Sequence, residues 1–324
     1  MNAKLLVPAL LAACLIPVAL PGKRLGIFPN TVVDMVQVGS LTRVSTASCG
    51  QCHAPTPSAT VVQVVPGARS IDAGTTTSIQ VVATSTSSGN DGGFTADVTA
   101  GSFVAGSTTQ VNATGDAVTH TASTNGRSWQ FTWKAPTTPG LAEMYVVANA
   151  VNGNLRADAG DLWAFHGSSP TNTVSTPVRL YANAPGCVAV GGSCADGYGN
   201  YSVLGAPLPP TVGNSAFKLE SHGLPPGQPL LLMMTIGGNL PAFDMSQLGA
   251  PGCFLRTTLQ LQFIASTTTG DASRAEGTFT VPVPIPNQPI LKGLKFTVQN
   301  GVIDGNSQRL FPMVVTNALE VTIL

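Results

Sequence analysis

Apolar residues in this chain recur at every second position, in short bursts separated by glycine- and proline-bearing turns, and no stretch of useful length shows a helical period. In "TTSIQVVA" the alternation places Thr77, Ile79, Val81 and Ala83 on one face, and in "SWQFTWKAP" it places Trp129, Phe131 and Trp133 together. Successive side chains of an extended strand point to opposite faces, so these segments are half-buried strands. Turn clusters such as "SSGNDGG" (87–93) and "TPG" (138–140) separate them at sandwich-like spacings. The chain is therefore expected to be all-β.

A glycine-rich break, "ANAPGCVAVGGSCADGYGN" (182–200), divides the pattern, which then resumes in "TTLQLQFIA", "GTFTVPVPIP", "GLKFTVQNG" and "NALEVTIL". Leu259, Leu261, Phe263 and Ala265 alternate in the first of these, and Leu319, Val321 and Ile323 in the last. At 324 residues, 43% of them apolar, the chain can bury two cores. Two β-sandwich domains are expected, 46–181 and 187–324, after a signal segment 1–20 and a leader 21–45. Only 9% of residues are charged and the net charge is zero, so no basic field exists to hold nucleic acid.

Lys4 precedes an apolar run from Leu5 to Leu20, the pattern of an export signal. The run is short for a membrane span and contains Pro8 and Pro17. "LAAC" (11–14) also resembles a lipoprotein box that would lipidate Cys14, and only this or an uncleaved signal would tie the chain to a membrane. A periplasmic, cell-surface or secreted protein is expected.

The chemistry-bearing motif is "CGQCH", Cys49, Cys52 and His53. Two thiols at this spacing reach the two vinyl groups of one porphyrin edge, and an imidazole directly after the second meets the iron from the proximal side. A disulfide or redox dithiol would sit at a helix start in a βαβ unit, and a zinc site would need a second ligand pair close by. Neither context is visible. The leading reading is one covalent haem c. A second axial ligand would be His120, His166, Met144 or Met35 in the first domain, or His222 in the other; spacing does not select among them.

From "CGQCH" through "VPGARSIDAGTTTSIQVVA", "GGFTADVTAGSFVAGS", "VTHT", "WQFTWKAP" and "MYVVANAVNGNLRADAGD", the chain resembles the bacterial exported Reelin-like domain of the choice-of-anchor V type. That resemblance implies a sandwich carrying one c-type haem, with Cys49 and Cys52 as thioether positions, His53 as proximal ligand and His120, on the family's H-T block, as sixth ligand. Ile71 and Ala73 depart from the family's usual tyrosine and proline. Residues 192–324, with "GSCADGYGN", "GLPPGQPLLLMM", "LGAPGCFL" and "TNALEVTI", resemble a C-terminal sandwich module of secreted Gram-negative proteins. There the resemblance implies a Cys194–Cys253 disulfide; the additional Cys187 leaves Cys187–Cys194 as a rival pairing.

Two strong axial ligands leave iron no open position, so the expected role is one-electron transfer to an unidentified exported redox partner, without catalysis. The competing class is a pair of sandwiches that bind sugar or protein, with haem absent or vestigial. A five-coordinate haem enzyme or sensor is a third class, and no distal Arg-His signature favours it. No nucleophile elbow, Walker loop or H-E-x-x-H is present. Asp158 and Asp161 in "NLRADAGD" are read as carboxylates of a solvated turn in preference to a calcium site.

Overall fold

The computed structural model describes residues 26–28, 32–33, 36–37, 53, 59–121, 126–154, 156–167, 175–238 and 240–324. Cys14, Met35, Cys49 and Cys52 lie outside them. Strands dominate, and among the described residues there is no α-helix. No helix of the described residues is long and apolar enough to cross a membrane.

The first sandwich packs two sheets. A four-stranded sheet runs in the order Thr60–Pro66, Thr76–Ser85, Ser128–Lys134, Ser102–Val104. A seven-stranded sheet runs Ser70–Asp72, Val178–Asn183, Gly140–Ala150, Gly92–Val98, Ala117–His120, Thr109–Val111, with Leu162–Phe165 also paired to Gly140–Ala150. All pairings are antiparallel except Val178–Asn183 with Ser70–Asp72. The alternation read from the sequence is the packing that results. Ile79, Val81, Trp129, Phe131 and Trp133 are each no more than 2% exposed. Phe131 stacks on Phe94 at 5.6 Å and meets the edge of Phe103 at 5.2 Å, favourable offset and T-shaped aromatic geometries.

The second sandwich sets the strands Cys187–Val190, Ala318–Thr322, Lys295–Ile303, Pro229–Ile236 and Leu261–Ser266, in that order, against Val203–Gly205, Lys218–Leu224 and Gly277–Pro282. Met313–Val315 also pairs with Lys295–Ile303. Its core joins Leu204, Leu219 and Leu224 of one sheet to Leu230, Leu232, Phe296, Val298 and Leu319 of the other. Cys194 and Cys253 form a disulfide, and Cys187 is a buried free thiol.

Leu261–Ser266 breaks the inside-outside rule. Leu261 and Phe263 pair with Met234 and Leu232, which places them on the core-facing side, yet they are 42% and 55% exposed. The strand is last in its sheet, and among the described residues nothing in the facing layer covers it. Alternation chooses a face; it does not supply a cover.

Only residues 184–186 separate the last strand of the first sandwich from the first strand of the second. The junction is buried and hydrogen-bonded. Ser70 Oγ donates to the Leu204 carbonyl at 3.1 Å, Asn183 Nδ2 donates to Ser70 Oγ at 2.8 Å, and the Ala206 N–H donates to Asn183 Oδ1 at 3.1 Å. Arg179 sends Nη1 and Nη2 to the Arg274 carbonyl, at 3.1 and 3.2 Å. Gly205 lies so close to the Tyr181 ring that a Cβ there would come within 2.1 Å of it.

Candidate functional site

Of the C-x-x-C-H, His53 falls within the described residues, and its surroundings define the site. His53 Nδ1 lies 2.9 Å from Asp161 Oδ2; the imidazole is 20% exposed and the carboxylate 1%. A carboxylate only accepts, so in the neutral ring Nδ1 carries the proton and Nε2 keeps its lone pair. Nε2 has no hydrogen-bond partner among the described residues.

Asp161 heads the Leu162–Phe165 strand, at the end of the turn that returns from Gly140–Ala150. The turn is built by its own asparagines and aspartates. Asp158 accepts from Asn152 Nδ2, Asn154 Nδ2 and the Gly160 N–H, and these donors, Asn154 first, hold its carboxyl below the usual range. Asn152 Oδ1 and Asn154 Oδ1 in turn accept from the N–H groups of Asn154 and Arg156. Such local side-chain bonds are what Asn and Asp contribute to turns. Within this frame Asp161 Oδ1 accepts from the Asn152 N–H at 2.9 Å, and Oδ2 from the Asp158 N–H at 3.4 Å.

The solvated-turn reading therefore suits Asp158 and fails for Asp161, which is buried. Donors converge on both oxygens of Asp161, the reverse of a cage for calcium. The sequence signal that could have singled out Asp161 is its place between a glycine and the apolar "LWAF" of a strand, where a side chain turns inward.

His120 ends the Ala117–His120 strand. Its Nδ1 is 3.2 Å from both the N–H and the carbonyl of Phe94, and its ring fills the space beside Gly93, where a Cβ would come within 2.3 Å of Cε1. Burial holds its pKa below the ordinary value, with the Phe94 carbonyl acting the other way. Gly93 pairs with Asn149, which pairs with Trp163, and Ala150 pairs with Leu162. By register His120 lies three strands across from Leu162–Phe165, about 14 Å, in the row of Phe94, Ala148 and Ala164, three residues along from Asp161.

The other candidates lie elsewhere. His166 sits at the far end of the Leu162–Phe165 strand, about 16 Å along from Asp161, with Nδ1 2.8 Å from the Thr176 carbonyl. Met144 is wholly buried in the first core, and His222 belongs to the domain junction, its Nε2 3.7 Å from Glu220. Among the described residues no group of three or more His, Cys, Asp or Glu is placed to hold a metal ion. With Nδ1 anchored and Nε2 without a hydrogen-bond partner among the described residues, His53 has the donor chemistry that a haem ligand needs.

No protein-family model matches the sequence, and no curated protein matches it either. Similar solved structures include the human F-spondin reeler domain, at 18% identity and TM-score 0.24, covering 34% of this chain and 91% of that one. The Yersinia pseudotuberculosis adhesin InvE aligns at 14% identity and TM-score 0.22, covering 81% of this chain and 58% of that one. Trypsin-activated alpha-2-macroglobulin from Escherichia coli aligns at 8% identity and TM-score 0.23, covering 82% of this chain and 16% of that one.

Proposed function

We propose that this chain is an exported, Reelin-like carrier of one covalently bound haem c that passes single electrons outside the cytoplasm. The observation that carries the reading is His53: directly after Cys52 in sequence, its Nδ1 is engaged by a buried carboxylate, and its Nε2 has no hydrogen-bond partner among the described residues. Bound haem c supplies a one-electron iron centre. Cys49 and Cys52 would supply the two thioether sulfurs, and His53 would supply a nitrogen ligand through Nε2. His120 would be the second ligand, as the resemblance implies, and burial holds its pKa below the ordinary value. The Cys194–Cys253 disulfide fits an oxidising compartment, as the export signal requires.

The test is expression with a haem c maturation system, read by intact mass and a haem stain on a denaturing gel. One porphyrin per chain, lost in the Cys49→Ala/Cys52→Ala variant, supports the reading. Replacing His120 by alanine converts a six-coordinate spectrum to a five-coordinate one. A colourless chain of unmodified mass overturns the haem reading and leaves the second one, a binding module of two sandwiches. The exposed Leu261–Ser266 edge is the observation that favours that alternative.

A further inference from the structure

The geometry points to Asp161 as a positioning residue that fixes the tautomer of His53 and strengthens it as an axial donor, lowering the reduction potential of the iron; this rests on the haem reading above. Asp161 is distant in sequence from the C-x-x-C-H and belongs to a different turn, yet its carboxylate reaches Nδ1 at 2.9 Å.

Three features make the contact more than an incidental surface pair. The carboxylate is 1% exposed, so solvent screens the bond little. It is immobilised by the Asn152 and Asp158 N–H groups, and that turn is itself fixed by the Asp158 carboxylate and the Asn152 and Asn154 side chains. A full negative charge, and not a neutral carbonyl, accepts the Nδ1 proton, which gives the ring partial imidazolate character. A more electron-rich Nε2 favours the oxidised over the reduced iron, the direction in which second-layer hydrogen bonds tune metal ligands. Asp161 also ties His53 to the sandwich.

Two measurements separate this inference from the haem reading itself. In the haem-free full chain at pH 8, nitrogen-15 shifts of His53 should report a protonated Nδ1 and an unprotonated Nε2. The Nε2-protonated tautomer overturns the inference whether or not haem can be attached. In the matured protein, Asp161→Asn keeps an acceptor but removes the charge; the expected result is retained haem, an altered proximal-ligand signature by electron paramagnetic resonance and a midpoint potential raised above that of wild type. Asp116→Asn, which removes an exposed carboxylate of the first sandwich outside this turn, is the control for charge loss without the contact. A potential for Asp161→Asn equal to wild type, or moved no further than by Asp116→Asn, overturns the inference. Wild-type material with no haem overturns the function proposed above, and the tautomer measurement then still decides whether Asp161 directs His53.

Discussion

The Tyr181 hydroxyl donates to Glu220 Oε2 at 3.0 Å, so a fully buried phenol of the first sandwich is held by a carboxylate of the second. Burial and the adjoining Glu220 charge push the Tyr181 phenol well above its ordinary pKa, which keeps it a donor. His222, Lys218 and Tyr181 together hold Glu220 down at about 2, against an ordinary value of 4.5. The folded state therefore prefers the ion. The resulting stability is complete above pH 4.5 and is lost as pH falls towards 2. Tyr181→Phe removes a hydrogen bond to a charged group and should cost about 1.5–3 kcal/mol at neutral pH. Denaturant melts at neutral pH and at pH 3 should show the variant losing less stability on acidification than wild type; an identical loss refutes the linkage.

His166 governs a higher pH window. Burial draws its imidazole down to about 4 from 6.5, opposed by the Thr176 carbonyl. The unfolded chain binds the proton first, so stability is complete above pH 6.5 and declines as pH falls through 4. His166→Gln should flatten that part of the stability curve. A curve parallel to wild type between those limits counts against a buried neutral ring.

Gly205→Ala should destabilise the junction. The new methyl would sit within 2.1–2.5 Å of three Tyr181 ring carbons, and Tyr181 is itself fully buried. Overpacking of this kind costs about 1–3 kcal/mol. Limited proteolysis should find residues 184–186 newly cleaved; resistance equal to wild type would show that the junction absorbs the methyl.

Replacing both Cys194 and Cys253 by alanine opens a link between residues 59 apart in sequence, which the chain-entropy estimate values at about 4 kcal/mol. Cys187 should remain free: burial, then the Asp72 charge, pushes its thiol up to about 12. Non-reduced peptide mapping should recover Cys194 joined to Cys253, and Cys187 should react with a thiol reagent only after unfolding. A Cys187–Cys194 peptide would reverse the assignment.

Much of the fold was legible because a strand's period is unmistakable when one face is buried. Trp129, Phe131 and Trp133 announced their shared face, and so did Leu319, Val321 and Ile323, all buried. The same rule misled at Leu261 and Phe263, because position at a sheet edge depends on strand order, a property of the whole chain. At the candidate site the reverse held. "CGQCH" sets out its candidate ligands in five consecutive residues, whereas Asp161 reaches His53 from 108 positions away. A contact of that range leaves no local pattern, and the acidic turn around it disguised one buried carboxylate among exposed ones.

The uncovered Leu261–Ser266 strand has a practical consequence. No charged residue occurs from Thr257 to Gly270, and no proline interrupts that stretch, so it lacks the gatekeepers that usually blunt a free β-edge. Edge-to-edge pairing of two copies is the hazard such a strand carries, and Ile264→Lys, at a position 87% exposed, should raise the concentration at which the molecule stays in solution.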